Sequence, residues 1–350
     1  MRSGYNILLT GGAGFLGTAI IRELLDDPSI LPVKELRVLD LQPVKNQQVD
    51  HIIFVQGDVQ DKRVLLDACK GIDLVIHSAA IVDWGTKSKK EVMAVNYEGT
   101  LNVIEACITS SVKGMVYTSS LDVLFDGRPL VDVDEETAYP ERHSTSYCVS
   151  KCLAEKKVLE ASGEVLKTCS LRPADIYGEG DPYHIGSLIA MARGGFYVRL
   201  GNGRSKCQHA YVGNVAQAHV LAAASLLNGN RNIPGQPYFI TDGAPSNFFT
   251  FFDSIVNAAG YRIWPKNVWL PRRFAYLLGT ISESIAFLLR PIRKYAPKMS
   301  RFAVTYTCTD YTFSSDKAKK DFGFIPKYSN KEAFDRTVEY FRPGRQGTGF

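Results

Sequence analysis

A glycine-rich turn between a short strand and a helix constrains this chain more than any other feature of its sequence. Asn6–Leu9 is apolar and runs directly into Thr10-Gly-Gly-Ala-Gly-Phe-Leu-Gly17. Apolar residues spaced three and four apart then predict a helix over Phe15–Leu25. In this context glycines permit a tight turn, let the backbone approach a pyrophosphate and let helix and strand pack closely. The helix N-terminus attracts phosphate charge, so we predict a dinucleotide-binding unit.

The second predicted strand indicates which dinucleotide is bound. It covers Glu35–Leu39 and ends in Asp40, which lies 23 residues beyond Gly17. A carboxylate near that distance can bond the ribose 2′-hydroxyl and would repel a 2′-phosphate. The sequence therefore favours NAD over NADP.

Strands and helices continue to alternate along the first half of the chain. Further strands are predicted at Ile52–Val55, Leu74–His77, Gly114–Thr118 and Cys169–Leu171. This rhythm predicts an α/β fold, a doubly wound parallel sheet (Rossmann-like). Ligands of such sheets lie beyond the carboxyl ends of strands, which is where Ser119 and Ser120 stand. The small residues Ser78, Ala79 and Ala80 follow another strand, where they favour a nearby cofactor or plain tight packing about equally.

Tyr147 is the one tyrosine of seventeen with a lysine, Lys151, four residues later. On a helix this spacing places both side chains on one face. A free phenol has a pKa of about 10, and a nearby ammonium lowers it. The pair could therefore take a proton from an alcohol, although a solvated helix face is the better explanation of an isolated pair.

The second half of the chain has a looser pattern. Shorter helices are predicted at about 184–193, 213–227, 246–258, 314–322 and 329–341. We predict three units: an NAD-binding domain over 1–180, a smaller, partly interleaved C-terminal substrate region over 181–342 with segments returning to the core, and a disordered tail over 343–350.

Four motifs resemble those of the extended short-chain dehydrogenase/reductases. They are Thr10–Gly17, Tyr117-Thr-Ser-Ser-x-x-Val123, Tyr147-x-x-x-Lys151 followed by Leu-Ala-Glu, and Leu171-Arg-Pro-x-x-Ile-Tyr-Gly-Glu-Gly180. Later segments resemble, more narrowly, the 3β-hydroxysteroid dehydrogenase/isomerase family: Tyr211-Val-Gly-Asn-Val-Ala-x-Ala-His219, Tyr238-Phe-Ile-Thr-Asp-Gly, Leu289-Arg-Pro, Tyr295-Ala-Pro and Phe313-Ser-x-Asp-Lys-Ala. The similarity extends to about residue 328.

The resemblance implies a role for each matching residue. Tyr147 would be the general acid/base, and Lys151 would tune it and hold the nicotinamide ribose. Ser120 matches the serine that bonds the substrate oxygen, with Ser119 a close second, and Asn96 would support the active-site helix. The implied cofactor contacts are Gly11, Gly14, Phe15, Leu16 and Gly17 at the pyrophosphate, Asp40 at the adenosine ribose, Asp58 and Val59 at the adenine, and Pro173 at the nicotinamide, beside Ser78, Ala79 and Ala80.

These roles predict NAD-dependent oxidation of a 3β-hydroxysteroid or sterol to the 3-ketone. The family resemblance also implies isomerisation or decarboxylation as a further step, for which no residue signature is evident. Two alternatives stay open: a sugar-nucleotide epimerase or flavonoid-type reductase on the same scaffold, and a noncatalytic NAD-binding regulator. The sequence has no evident second nucleotide-binding signature, which argues against the epimerase. The intact set of Ser, Tyr and Lys argues against the regulator, which would not need all three.

The positive charge of the chain is local. The net charge is +5, and the window from Arg262 to Arg301 holds nine basic residues and one acid, which makes it +8. Within it, Pro271–Arg290 carries a helical stripe of apolar residues at 274, 277, 278, 281, 285, 288 and 289. We expect either an anionic membrane surface to bind residues 271–301, or the helix to pack on the substrate region with solvated basic residues. No motif supports nucleic-acid binding.

The remaining residues bear on location and metal binding. Seven scattered cysteines suit reduced thiols, and the first ten residues lack the hydrophobic segment of a secretory signal, so a cytoplasmic or cytosol-facing protein is expected, peripheral on a membrane at most. A homodimer is a further expectation. No metal is expected, because His77, His209 and His219 show no metal-ligand spacing and are assigned to packing or hydrogen bonding. Trp84 is assigned to the core or to an apolar substrate pocket.

Overall fold

A seven-stranded parallel sheet forms the centre of the protein in a computed structural model that describes residues 4–43, 52–83, 87–289 and 299–344. Numbered along the chain, its strands are β1 (Tyr5–Thr10), β2 (Val33–Asp40), β3 (Ile52–Gln56), β4 (Leu74–His77), β5 (Gly114–Thr118), β7 (Lys167–Pro173) and β11 (Gln236–Ile240). Their spatial order is β11-β7-β5-β4-β1-β2-β3. The predicted doubly wound sheet is confirmed.

Short strands form three parallel pairs outside this sheet. They are β6 (Leu130–Val133) with β13 (Tyr311–Phe313), β8 (Asp175–Tyr177) with β10 (His209–Tyr211), and β9 (Arg199–Leu200) with β12 (Trp269–Leu270). The first pair joins segments about half the chain apart.

Helices cover both faces of the sheet and build the substrate side. They are α1 (Phe15–Asp26), α2 (Lys62–Cys69), α3 (Lys89–Met93), α4 (Gly99–Thr109), α5 (Ser146–Glu160), α6 (Ile185–Arg193), α7 (Val212–Leu227), α8 (Phe248–Ala258), α9 (Arg272–Leu289), α10 (Arg301–Thr307), α11 (Asp316–Phe322) and α12 (Asn330–Phe341). The fully buried strands β4 and β5 separate two apolar cores, one around α1 and α7 and the other around α2 and α4.

The strand order of the sheet reverses between β1 and β4. Strands β1, β2 and β3 lie on one side of this point, and β4, β5, β7 and β11 lie on the other. Ligands of open α/β sheets bind in the crevice outside such a switch point. The glycine turn after β1 and the Ser78–Ala80 turn after β4 both lie there.

Part of the second half of the chain returns to the core, since β11 pairs with β7 and α7 packs on α1. The division at residue 180 stays a prediction. Within the described residues, no helix is long and apolar enough to cross a membrane. Residues 345–350, most of the predicted tail, lie outside the described residues, as does Trp84.

Candidate active site

The glycine turn is shaped by close backbone contacts. Gly11 has a positive φ of 76°, and a Cβ added to it would lie 2.6 Å from the Ala79 nitrogen. A Cβ on Gly17 would lie 2.1 Å from the carbonyl oxygen of Gly11. Only glycine fits both positions, because a side chain would separate β1, β4 and α1. A cradle of bare backbone therefore opens at the start of α1.

Gly12, which the sequence analysis passed over, is equally constrained. Its Cβ would lie 2.3 Å from a methyl group of Val38 on β2. Next to it, the backbone nitrogen of Ala13 donates to the Asp40 carboxylate at 3.0 Å. Asp40 thus fixes the turn and also lines the cleft beside it.

One cleft of about 480 Å³ brings together every residue that the sequence analysis assigned to the cofactor or to catalysis. Its cofactor side contains Gly11, Gly14, Phe15, Leu16, Gly17, Asp40, Asp58, Val59, Ser78, Ala79, Ala80 and Pro173, and its catalytic end contains Ser119, Ser120, Tyr147 and Lys151. The bare backbone at the glycine turn and the carboxylate at the end of β2 fit a dinucleotide without a 2′-phosphate. Its individual contacts remain predictions.

Helix α5 presents Tyr147 and Lys151 to the cleft from its first turns. The helix begins after Thr145, whose hydroxyl accepts a hydrogen bond from the Cys148 nitrogen at 3.2 Å. Tyr147 and Lys151 are both buried. The Lys151 ammonium donates to the Thr118 carbonyl at 2.8 Å and lies 4.8 Å from the ring centre of Tyr117.

The electrostatics of this pair differ from the expectation. Burial raises the pKa of Tyr147 well above its usual value, and the neighbouring Asp122 raises it further. Burial also lowers the pKa of Lys151 to about 7. The expected lowering of the Tyr147 pKa is therefore wrong for this structure, because removal from water and the neighbouring Asp122 carboxylate both disfavour the phenolate.

The two serines at the end of β5 have different neighbours. Ser120 lines the same cleft as Tyr147, and its hydroxyl donates to Asp122 Oδ2 at 2.7 Å. The Ser119 hydroxyl is buried and has no hydrogen-bond partner among the described residues. Both serines line the cleft, and the assignment of Ser120 to the substrate oxygen stays a prediction.

Two buried contacts fix α5 in place. Asn96, in a single π-helical turn, donates to the Ser150 hydroxyl at 3.1 Å and exchanges hydrogen bonds with the backbone of Ile81. Glu155 forms a fully buried ion pair with Arg172 of β7 at 2.7 Å. Burial alone would raise the pKa of Glu155, but the positive charge of the Arg172 guanidinium more than compensates, so that the pKa lies below its usual value. The Leu-Ala-Glu and Leu-Arg-Pro motifs are thus two halves of one contact.

The far end of the cleft contains side chains that the sequence analysis missed. These are chiefly Asp122, Asp175, Tyr183, His184, Phe302 and Tyr306. Asp122 could have been noticed, since it follows Ser120 by two residues. Phe302 and Tyr306 come from α10, remote in sequence, and no local signal indicates that they reach the site.

A buried cluster adjoins this end of the cleft. Ligand atoms of Asp175, Cys207 and His209 lie within 4.8 Å of one another, so three residues of metal-ligand type meet despite their spacing. Both oxygens of Asp175 already accept tyrosine hydroxyls, at 2.6 and 2.7 Å, and burial raises the pKa of the Cys207 thiol. These contacts favour a hydrogen-bonded core cluster over a metal site.

The other two histidines have the hydrogen-bonding role assigned to them. His77 contacts the hydroxyls of Thr10 and Thr100 at 2.7 and 2.9 Å. His219 lies between the Thr118 hydroxyl and the Val215 carbonyl, each at 2.8 Å. Both rings are buried inside the sheet–helix packing.

The sequence profile of the 3-beta hydroxysteroid dehydrogenase/isomerase family matches residues 8–272, which is most of the chain. The chain belongs to this family. Membership confirms the predicted family and, with it, the coarse prediction of an NAD-dependent oxidoreductase.

Curated relatives and solved structures agree with the family assignment. The chain is 36% identical to 3 beta-hydroxysteroid dehydrogenase type 7 of Mus musculus and to that of Homo sapiens, and each alignment covers 95% of this chain and 94% of the relative. Among solved structures, DesIV, a dTDP-glucose 4,6-dehydratase from Streptomyces venezuelae with NAD and TYD bound, matches with a TM-score of 0.76 at 19% identity. That match covers 97% of this chain and 98% of DesIV and shows the shared fold.

Proposed function

We propose that this protein is an NAD-dependent dehydrogenase that oxidises the 3β-hydroxyl of a steroid or sterol to the 3-ketone. The observation that carries the proposal is the meeting of Ser120 and Tyr147 at one end of the family's cleft, with Lys151 behind them. The cofactor is NAD, held by the glycine turn and Asp40. When bound, it accepts the hydride from the carbinol carbon.

Within this reaction the chain's own residues hold the alcohol and move its proton. Ser120 bonds the reacting oxygen, and Tyr147 takes the hydroxyl proton. Lys151, fixed by the Thr118 carbonyl, places an ammonium beside them. Apolar side chains such as Ile81, Ile176 and Phe302 line the cleft beyond and suit a hydrocarbon skeleton.

One assay distinguishes the candidate functions. Purified protein and NAD would be incubated with 3β-hydroxysterols, sugar nucleotides and flavonoid-type alcohols, while NADH is followed. We expect NADH with sterols alone, and chromatography of the products would distinguish simple ketones from isomerised or decarboxylated ones. Turnover of non-sterols alone would overturn the proposal. NAD binding without turnover of any alcohol would favour a noncatalytic regulator.

We also propose that α9 lies on an anionic membrane surface that supplies the substrate. The whole predicted apolar stripe is exposed in the structure, with Leu288 at 70% and Phe274 at 63% exposure. Of the residues of α9 only Ala275 and Gly279 are buried, and Gly279 lies against Ser300 and Arg301 at the start of α10. The described residues therefore do not cover the stripe.

The position of α9 relative to the cleft supports this second proposal. Helix α10, on which α9 packs, contributes Phe302 and Tyr306 to the cleft wall. Arg272 and Arg273 begin α9 and can meet anionic headgroups, each contributing about 1 kcal/mol. Four basic residues of the window, from Arg290 to Lys298, lie outside the described residues. A cytosol-facing location and a homodimer stay predictions.

Vesicle co-sedimentation tests the membrane proposal. A triple variant, Leu277→Gln with Ile281→Gln and Leu288→Gln, should bind anionic vesicles at least about tenfold more weakly than the wild-type protein. A matched control changes three exposed apolar residues elsewhere, Val131, Val165 and Ile325, to Gln and should bind normally. No binding of the wild-type protein at moderate salt would overturn the proposal.

A further inference from the structure

Asp122 is a buried residue that the reaction described so far does not use, and it contacts the Ser120 hydroxyl twice. It lies in a 3₁₀ turn, Leu121–Val123, and lines the cleft. Its backbone nitrogen donates to Ser120 Oγ at 3.2 Å, and its carboxyl oxygen Oδ2 lies 2.7 Å from the same atom. Both contacts involve the one hydroxyl that the proposed function places at the substrate oxygen.

The hydrogen-bonding capacity of Ser120 makes the charge of Asp122 important. A serine hydroxyl has one proton to donate and two lone pairs that accept. An ionised Asp122 can only accept, so the 2.7 Å contact then uses the Ser120 proton and leaves none for the substrate. A protonated Asp122 can donate across the same distance, while its backbone nitrogen fills the other lone pair. The Ser120 proton can then point into the cleft.

The surroundings of Asp122 favour its neutral form. Among the described residues, the Ser120 hydroxyl is the one donor to this carboxyl, and Oδ1 is buried without a hydrogen-bond partner. Burying a carboxylate with so few donors is costly. Burial raises the pKa of Asp122 to about 7 against the hydrogen bond from Ser120, and the nearby Asp175 carboxylate adds to the rise. The protonated form is therefore well populated at neutral pH.

We propose that Asp122 works as a neutral carboxylic acid that donates to Ser120 Oγ and thereby directs the Ser120 proton to the substrate oxygen. Each proton stays on its own oxygen, and only the direction of the hydrogen bond changes. Asp122 is thus a positioning residue that acts through Ser120. In its neutral form it also places no negative charge beside Tyr147, whose pKa an ionised Asp122 raises. The inference rests on the proposed function, in which Ser120 bonds the substrate oxygen.

The proposal fixes the sign of a pH effect on ketone binding. A carbonyl oxygen can only accept, so it needs the Ser120 proton, and ketone affinity should fall as pH rises through the pKa of Asp122, about 7. The other titratable groups that face Asp122 are Tyr147, Cys148, Lys151, Asp175, His184 and Tyr306. Since burial lowers the pKa of Lys151 to about 7 as well, variants and not the profile alone identify the group.

The test is the binding of the 3-ketone to enzyme saturated with NAD, a complex that contains no hydride donor and cannot react. For the wild-type protein, calorimetric titration should show the Kd of the ketone rising about tenfold between about pH 6 and 9, as the loss of one hydrogen bond predicts. Asp122→Asn has a permanent N–H donor, so its Kd should stay within about threefold of the low-pH wild-type value throughout. Asp126→Asn, outside the cleft lining, is the matched control and should keep the wild-type pH dependence.

Ser120→Ala separates an effect through the serine from a direct effect of the Asp122 charge on the ligand. In the Ser120→Ala background, Asp122→Asn should leave the ketone Kd and its pH dependence unchanged, because no serine proton remains to be directed. Three outcomes overturn the proposal: a flat wild-type profile, the same inflection in Asp122→Asn, or an undiminished effect of Asp122→Asn without Ser120. The ketone of whichever alcohol yields NADH in the substrate panel serves here, so failure with sterols is a separate result.

Infrared difference spectroscopy tests the neutral acid without a ligand. The wild-type spectrum minus that of Asp122→Asn should contain the C=O stretch of a protonated carboxyl, and this band should disappear as pH rises through about 7. Ser120→Ala should shift the band, because the carboxyl loses the oxygen to which it donates. If Asp122→Asn does not fold, the difference between wild type and Ser120→Ala still reports this shift. Absence of the band below pH 7 would mean that Asp122 is ionised there and would overturn the proposal.

Discussion

The catalytic end of the cleft and helix α9 are built in opposite ways. At the catalytic end, charged side chains such as Lys151, Glu155 and Arg172 are buried and each has a bonded partner. On α9, an apolar stripe faces outward and small residues face the protein. In the first region polar side chains are buried, and hydrogen bonds fix their positions. The second presents apolar surface outside, where its partner must be something other than the described parts of this chain.

The difference determines what a substitution does. A change at the catalytic end should alter chemistry or folding, because each side chain has a defined partner. A change on α9 should leave both intact and affect only what the helix meets. Substitutions made in parallel in the two regions can break or sharpen this contrast.

The largest expected effect is that of Tyr147→Phe. Removing the phenol oxygen removes the proton acceptor, so turnover should fall by about 10²- to 10⁴-fold while NAD binding stays nearly unchanged. Steady-state kinetics and cofactor titration measure the two quantities. The same change on α9, Tyr276→Phe, should have no effect on either. An active Tyr147→Phe enzyme would remove the assigned role.

Next in size is the loss of the buried ion pair through Arg172→Met. The Glu155 carboxylate would be left buried without its cation, which should cost about 3–5 kcal/mol of folding free energy. The exposed pair Arg301–Glu283, which joins α10 to α9, is the matched control. Arg301→Met should cost about 0–1 kcal/mol. Denaturant titration of both variants checks the contrast, and equal losses would refute it.

Much of the cleft, on its cofactor side and at its catalytic end, could be predicted from the sequence, because its positions require particular residue types. Gly11 and Gly17 have no room for a Cβ, and Asp40 ends a strand beside them. Tyr147 and Lys151 must be four residues apart to lie on one face of a helix. The apolar runs of the sequence predicted β4 and β5 at the same residues that form these strands in the structure. What could not be predicted depends on distant contacts. Burial reversed the expected shift of the Tyr147 pKa, and long-range folding brought Tyr306 to the cleft.

Helix α9 shows the other limit of sequence reasoning. Its apolar stripe and its bounds were evident, but the same pattern serves a helix packed on the protein and a helix on a membrane. Only the three-dimensional packing shows that small residues, Ala275 and Gly279, form the buried face. β11 was not identified either, because its five residues, which contain Pro237, resemble a loop until paired with β7.

A smaller effect is expected from Asp40→Ala. The carboxylate would no longer repel a 2′-phosphate, and the Ala13 nitrogen would lose its acceptor. We expect the ratio of kcat/KM for NAD to that for NADP to fall about tenfold. Asp58→Ala, at the predicted adenine end, should weaken both cofactors and leave the ratio unchanged. An unaltered ratio in Asp40→Ala would remove the argument for NAD selection.

The smallest effect concerns delivery and not chemistry. The triple Gln variant of α9 should oxidise a sterol carried by cyclodextrin at the wild-type rate, because Ser120 and Tyr147 are untouched. With the same sterol in anionic vesicles, the apparent KM should rise severalfold while kcat stays constant, since fewer enzyme molecules reside at the source of substrate. Raising the salt concentration should reduce the wild-type advantage, because screening weakens headgroup attraction. Equal loss with both forms of sterol would mean that α9 supports the cleft through α10 and does not dock the protein on a membrane.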